Sequence, residues 1–75
     1  MDWRVYIKAD PAIMHGIPCF IGTRVPVHVV LDNLAAGEPH ARILAQYPTL
    51  KPDHIRAAIA YAADLARERI RPIPA

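Results

Sequence analysis

The spacing of hydrophobic and polar residues changes once along the chain, from a period of two to a period of about 3.6. Residues 3–8 alternate apolar and polar side chains and include β-branched and aromatic types, which predicts a short strand. Residues 18–21 form a second short extended segment, closed by Gly22 and Thr23. The two segments are close enough in sequence to pair, so a small β-ribbon is predicted at the N-terminal end.

From position 26 onward the apolar residues recur at helical spacing. The first predicted helix covers residues 26–36 and ends at Gly37, a residue type favoured just after a helix. A second, shorter helix begins at Pro39 and stops before Pro48, because proline cannot continue a helix. Pro52 opens a long, alanine-rich third helix. The pattern thus predicts three helices.

The same spacing predicts two faces for the third helix. The expected buried stripe consists of Ile55, Ile59, Ala62, Leu65 or Ala66, and Ile70. The side chains expected to face outward are Lys51, His54, Arg56, Ala57, Ala60, Asp64, Arg67 and Arg71. Asp53 beside Lys51 makes this face a mixed signal for DNA binding, since a carboxylate repels phosphate.

These elements predict a mainly α fold: a three-helix, homeodomain-like helix-turn-helix domain with a short N-terminal β-ribbon. A short helix, a tight turn and a longer helix make the unit whose second helix enters the major groove of DNA. The domain is assigned to residues 1–66. Residues 67–75 are assigned to a basic arm that ends in prolines. The third helix is expected to fray by Arg71, because the prolines that follow cannot continue it.

The size of the chain suggests that it needs support from another chain. At 75 residues it buries only about 60% of its unfolded surface. A single cysteine, Cys19, allows neither an internal disulfide nor a thiolate-rich zinc site, and it is interpreted as a small buried residue. A two-stranded sheet also leaves edges that invite pairing with a second copy. A homodimer is therefore expected.

Charge and hydropathy bear on the class of partner and on the cellular location. The formal net charge is +2, mildly basic and below that of a non-specific nucleic-acid coat. No segment approaches the roughly 20 apolar residues of a membrane span, and the first residues lack the layout of a signal peptide. The protein is therefore expected to be cytoplasmic.

Neither a cofactor nor catalysis is expected. The histidines (His15, His28, His40, His54) and Cys19 lack paired metal-ligand spacing, and the aspartates at 10, 32, 53 and 64 are scattered over separate elements. The chain contains no serine, and neither threonine neighbours a histidine. The sequence therefore predicts a binding protein with no metal site and no enzymatic activity.

The candidate DNA-binding residues are Lys51, His54 and Arg56 on the third helix and Arg24 at the entry to the first. Two simpler interpretations stay open. Acids near the start of a helix and bases near its end are favoured by the helix dipole alone, and Arg24 is equally consistent with an ordinary surface arginine.

Several short segments resemble a known family over residues 7–62. They are Asp10-Pro11, Gly16-Ile17-Pro18, Gly22-Thr23-Arg24-Val25-Pro26-Val27, Leu34-Ala35-Ala36-Gly37, Ile43-Leu44, Tyr47-Pro48 and Ile55-Arg56-Ala57-Ala58-Ile59-Ala60-Tyr61-Ala62. In order and spacing they resemble the "domain of unknown function 433" family of small bacterial helix-turn-helix proteins, regarded as antitoxins. The chain departs from the family pattern at Glu38 and Lys51, where helix-capping residues are common, and at Ile17, where a lysine is common.

The resemblance implies a type II toxin-antitoxin arrangement. The antitoxin would bind a PIN-like ribonuclease toxin encoded beside it, block the toxin's acidic metal site and repress the shared operon by binding operator DNA. The arm would then contact the toxin through Arg67, Arg69, Ile70, Arg71 and Ile73, because arginine forks match carboxylates. The alternatives are a disordered basic tail and a protein-interaction module that binds a partner but no DNA.

Overall fold

The computed structural model describes residues 1–68. The fold is mainly helical, with a two-stranded antiparallel sheet near its N-terminal end. The strands are β1 (Ile7–Lys8) and β2 (Cys19–Phe20), and the helices are α1 (Val27–Ala35), α2 (His40–Gln46) and α3 (Pro52–Glu68). The predicted fold class, three helices with a short β-ribbon, is confirmed.

The sheet is a short hairpin with one covered edge. It pairs Ile7 with Phe20 and Lys8 with Cys19. On the far side of β2, Phe20 donates its N–H to the carbonyl oxygen of Val25 at 3.1 Å. The segment that leads into α1 therefore covers one of the two edges that the sequence predicts to be open.

The first strand is shorter than predicted. Residues 3–5 form a turn of 3-10 helix, started by Asp2, whose side chain accepts a hydrogen bond from the Arg4 N–H at 3.0 Å. Only Ile7 and Lys8 are extended and paired. The reason is tertiary: the side chain of Trp3 contacts α3, and a regular strand from residue 3 is given up for that contact.

The loop between the strands contains a left-handed turn. The φ angles of Met14, His15 and Gly16 are 51°, 58° and 83°. This conformation costs about 1–2 kcal/mol for a residue with a side chain, so other bonds must hold it. Asp10 and Ile13 supply them, as the Asp10 carbonyl accepts the Ile13 N–H at 2.9 Å and the Ile13 carbonyl accepts the Gly16 N–H at 3.1 Å.

The predicted end of the first helix at Gly37 is confirmed. Gly37 has a φ of 83°, and its N–H donates to the carbonyl of Leu34 at 3.0 Å. The N–H of Glu38 donates to the carbonyl of Asn33, also at 3.0 Å. These two bonds form the Schellman arrangement that satisfies the last carbonyls of a helix.

The start of α2 has no side-chain cap. Pro39 holds the N-cap position, and Glu38, where the family pattern has a capping residue, forms an ion pair with Arg42 at 3.2 Å instead. Packing must therefore hold this short helix, chiefly through Ile43, which is fully buried.

The core lies where the three helices meet the hairpin. Its buried members among the described residues are Ile7, Cys19, Phe20, Val27, Val30, Ile43, Leu50, Ile55, Ala57 and Ala58. The prediction that Cys19 is a small buried residue is confirmed, since it is a free cysteine exposed by only 4%.

Two predictions for the faces of α3 are wrong. Ala57, expected to point outward, is fully buried, and Ile59, expected in the buried stripe, is 47% exposed. The buried face is rotated towards Ala57 because α3 packs against α1, α2 and the N-terminal turn together. Alanines on both sides of a helix leave little size difference from which to predict that rotation.

Candidate functional site

The turn between α2 and α3 is anchored in the core. Leu50 is only 3% exposed, and its N–H donates to the carbonyl of Tyr47 at 2.9 Å. The N–H of Tyr47 in turn donates to the carbonyl of Ile43 at 3.0 Å. The start of α3 is thus held in a defined position relative to α2, as a helix-turn-helix requires.

His54 caps the start of α3. The N–H of Lys51 donates to Nδ1 of His54 at 2.8 Å, and Pro52, the first helical residue, has no N–H to satisfy. A side chain three positions after the N-cap that accepts this N–H is the second half of a capping box, usually supplied by Glu or Gln. His54 thus supplies one half of the box, while the lysine side chain at position 51 has no acceptor to supply the other half. Because Nδ1 accepts, the ring hydrogen lies on Nε2.

The ring of His54 faces the hairpin. Its centroid lies 5.4 Å from those of both Tyr6 and Phe20, with edge-to-face geometry in each pair. The prediction that His54 faces outward is therefore wrong: the side chain is half-buried and bonded to the main chain. Its observed contacts join the start of α3 to the hairpin, which is a structural role.

Lys51 and Arg56 are exposed near the start of α3. The guanidinium of Arg56 lies 3.7 Å from the carboxylate of Asp53, and both side chains are more than half exposed. Tyr6 also approaches Asp53, through a long hydrogen bond of 3.4 Å from its hydroxyl. This end of the helix therefore presents two cations and one anion, a modest positive charge.

Arg24 is exposed on the loop that joins β2 to α1. The loop is ordered by Thr23, whose hydroxyl donates to the Phe20 carbonyl at 2.8 Å and accepts the Val25 N–H at 3.1 Å. Among the described contacts of residues 1–68, the Arg24 side chain forms neither a hydrogen bond nor an ion pair. Its cation is thus exposed on a loop that is separate in sequence from the cations of α3.

A second charged cluster joins the two ends of the described chain. The indole N–H of Trp3 donates to Asp64 at 2.6 Å, and the Trp3 ring meets Tyr61 edge to face at 4.9 Å. The guanidinium of Arg4 lies 4.4 Å from the centre of the Trp3 ring. Arg67, a predicted partner-binding residue, donates to Asp64 at 2.7 Å. The N-terminal turn is thus fastened to the second half of α3.

These contacts stabilise the charged form of Asp64. The hydrogen bond from Trp3 lowers the pKa of the carboxyl below its ordinary value of 3.8, with further lowering by the positive charges of Arg67 and Arg4. Partial desolvation opposes this effect. Asp64 was predicted only as an outward-facing residue, and its contact with Trp3 spans 61 positions of sequence.

The other predicted partner-binding residues, Arg69, Ile70, Arg71 and Ile73, lie outside the described residues. Neither the contact of Trp3 with α3 nor the exposure of Ile59 is predicted by the sequence. An aromatic residue at the start of the chain was the only available signal for the first. The second had no signal, since isoleucine is usually buried.

The cleft beside the hairpin is small for a ligand pocket. The cleft beside the hairpin measures about 120 Å³, below the roughly 300–1,000 Å³ of ordinary ligand pockets. Among residues 1–68, no three His, Cys, Asp or Glu side chains are grouped to hold a metal ion. No helix of this part is both long and apolar enough to cross a membrane.

Comparison with known proteins identifies a family. A relative, the uncharacterized protein y4eO of Sinorhizobium fredii (strain NBRC 101917 / NGR234), is 41% identical over 59 residues, which are 79% of this chain and 27% of the relative. The chain therefore spans about a quarter of that relative's length. No solved structure matches the chain. The model of the family described as "Protein of unknown function (DUF433)" matches residues 7–62, most of the chain, and the protein therefore belongs to the DUF433 family.

Proposed function

We propose that this protein is the antitoxin of a type II toxin-antitoxin pair and represses its own operon. In this proposal, α2, the turn and α3 bind operator DNA, and the C-terminal arm binds and neutralises a PIN-like ribonuclease toxin encoded nearby. The family description names no activity. Support comes from the resemblance of the sequence to antitoxins and from the surface at the start of α3.

The proposal rests chiefly on one observation: the start of α3 is held in place and its cations are exposed. The buried Leu50 and the hydrogen bond from Lys51 to His54 hold this end in place, while Lys51 and Arg56 stay exposed. A rigid helix end with exposed cations suits phosphate contacts, and arginine also suits the guanine edge in the major groove. Ile59 extends this exposed face by one turn and offers an apolar contact for a thymine methyl group.

Two observations favour an alternative function. Asp53 lies beside Arg56 and repels phosphate, and His54 is engaged with the hairpin instead of facing outward. A helix-turn-helix with so little positive charge is also suited to binding a protein alone. The second candidate is thus an interaction module that binds a partner protein but no DNA.

A gel-shift titration separates the two candidates. We expect the full-length protein to shift DNA taken from upstream of its own gene, with an affinity that falls as salt rises. Arg56→Ala is expected to weaken binding and reduce the salt slope by about one unit, the share of one phosphate contact. Arg4→Ala is the matched control, because Arg4 lies outside the proposed DNA-binding unit and is a similarly exposed arginine, paired with Asp2 at the same 3.7 Å that separates Arg56 from Asp53.

The outcomes are distinct. If no shift occurs at low salt, the DNA-binding function is wrong and the interaction module stands. Equal slopes for the wild type and Arg56→Ala would remove Arg56 from the DNA interface. Equal losses for Arg56→Ala and Arg4→Ala would show that binding depends on overall charge, not on the start of α3.

For the arm, the supporting chemistry is the match between guanidinium groups and carboxylates. Arg67 lies in the last turn of α3 with an exposed guanidinium, and two further arginines follow in the sequence at 69 and 71. A ribonuclease that binds metal ions through a cluster of acids offers several carboxylates in one cleft. Fork-to-carboxylate hydrogen bonds would then block that cleft.

A further inference from the structure

Two ion pairs of the same design lie along α3. Asp53 pairs with Arg56 at 3.7 Å, and Asp64 pairs with Arg67 at 2.7 Å. In each pair the acid precedes the base by three positions, and the second pair repeats the first after about three helical turns. The side chains of both arginines are more than two-thirds exposed. The helix therefore presents alternating charges, negative then positive, twice along its length.

The four charges are placed symmetrically about Ala60. Along α3 the steps from Asp53 to Arg56, to Ala60, to Asp64 and to Arg67 are three, four, four and three residues. Steps of three and four residues keep side chains on one face of a helix, so these five positions share a face. We call them the charge stripe. Reversing the direction of the charge stripe inverts the sign at each charged position and leaves Ala60 where it was.

A second copy of α3, running antiparallel to the first, matches the charge stripe at each charged position. A two-fold axis at Ala60 sets residue i opposite residue j of the other copy, and j opposite i. Asp53 then faces Arg67 of the partner subunit, and Arg56 faces Asp64 of the partner subunit. A partner of uniform charge would instead be repelled by half of the stripe. The pattern therefore favours a second copy of this chain over an acidic or a basic ligand.

The centre of the charge stripe suits a close crossing of two helices. Packed helix axes lie about 8–10 Å apart, and the side chains at the contact decide the distance. Ala60 has a small side chain and is only half-buried. Ile59 beside it is 47% exposed, and a second copy would cover part of it. Apolar burial of this kind supports a chain whose own core is small.

We infer that two copies of this chain form a dimer in which their α3 helices pack antiparallel through the charge stripe, with Ala60 at the two-fold axis. The inference goes beyond the proposed function, which assigns Arg56 to DNA and Arg67 to the toxin. Both arginines are covered in this dimer. The dimer is therefore a resting form of the free protein, and DNA and the toxin each compete with it.

The first test is the mass of the full-length protein in solution, measured by light scattering after gel filtration over a wide concentration range. We expect two chains of 8.3 kDa for the wild type. Asp53→Lys and Arg67→Glu are each expected to raise the dimer dissociation constant roughly tenfold, because each turns two ion pairs between the copies into like-charge pairs. Asp32→Lys is the matched control, since it reverses an exposed carboxylate on α1, and it should stay dimeric.

Mixing the two weakened variants is the sharper test. In a mixed dimer the new lysine of one chain faces the new glutamate of the other, while the native Arg67 of the first faces the native Asp53 of the second. All the pairs across the axis are then attractive again. We expect the mixture to dimerise with a dissociation constant close to that of the wild type. A folding defect in either variant would not be repaired by mixing.

Circular dichroism checks the fold of each variant. If a charge variant does not fold, Ala60→Cys takes its place. A short bis-maleimide should then join two chains at this position and leave Ala35→Cys, a control at an exposed alanine of α1, unlinked. Equal linking at both positions would contradict the proposed axis.

The inference is overturned by a wild type that is monomeric at every concentration. A dimer that withstands both charge variants, a dimer that Asp32→Lys weakens equally, or a mixture that stays monomeric also overturns it. These measurements contain neither DNA nor toxin. A failure of the dimer therefore leaves the proposed function standing, and a failure to shift DNA leaves the dimer standing.

Discussion

At the scale of single residues, His54 has a structural role where the sequence suggests a DNA contact. Its Nδ1 accepts the Lys51 N–H, and its ring packs on Tyr6 and Phe20. One side chain thus both caps α3 and ties the helix to the hairpin. Removing it is expected to act first on folding and only through folding on any ligand.

We expect His54→Ala to lower the free energy of unfolding by about 1–2 kcal/mol. A lost cap costs about 1 kcal/mol, and a lost aromatic pair costs about 0.5–1.5 kcal/mol. Urea unfolding measures the change, and Lys51→Ala serves as control because it removes only an exposed side chain. Unchanged stability of His54→Ala combined with lost DNA binding would return His54 to the DNA interface.

Single residues also differ in how far the sequence predicts their positions. The stop at Gly37 was predictable because a left-handed residue after a helix favours glycine. The burial of Ala57 and the exposure of Ile59 were not. Judged by residue type alone, the isoleucine would be buried and the alanine exposed. The face of α3 that is buried depends instead on the positions of the elements packed against it.

At the scale of elements, the N-terminal turn and the second half of α3 act as one unit. The contact depends on Trp3, which bonds to Asp64 and packs on Tyr61. The alternation of residues 3–8 predicted a strand correctly only at Ile7–Lys8, since the partner of Trp3 lies 61 positions away. The helices were predictable because Gly37 and the prolines at their ends are local signals.

The charge of Asp64 gives this unit a pH dependence. Folding lowers the pKa of Asp64 below 3.8, so its charge stabilises the fold above that value. The contribution is lost as pH falls through the lower, folded pKa. We expect Asp64→Asn to melt below the wild type at neutral pH and the two melting temperatures to converge below about pH 4.

Thermal unfolding followed by circular dichroism across this pH range measures the convergence. Asp32→Asn, which changes an exposed carboxylate on α1, is the control for a general effect of net charge. A constant difference between Asp64→Asn and the wild type at every pH would mean that the variant acts through shape and not through charge.

At the scale of the whole molecule, the described chain separates its candidate surfaces. The start of α3 carries Lys51 and Arg56, and Arg67 lies in the last turn of the same helix. The length of the helix separates these two groups. Binding of DNA and of a toxin would therefore use different parts of the chain.

We expect a chain that ends at Glu68 to keep its fold and solution mass but to lose toxin neutralisation. Every contact described above lies within residues 1–68, while the arginines at 69 and 71 are removed. Growth of cells that co-express the neighbouring toxin gene measures neutralisation. Arg69→Gln with Arg71→Gln, in a chain of full length, separates loss of charge from loss of length. Full neutralisation by the shortened chain would contradict a role for the arm.

Trp3 is the sole tryptophan of the sequence and lies against Tyr61 and Asp64. Its fluorescence therefore reports on one junction, between the N-terminal turn and the end of α3, without any label. Agreement between this signal and circular dichroism in an unfolding titration would mean that the junction opens with the core. An earlier change in fluorescence would mean that the two ends of the domain separate while the three helices remain packed.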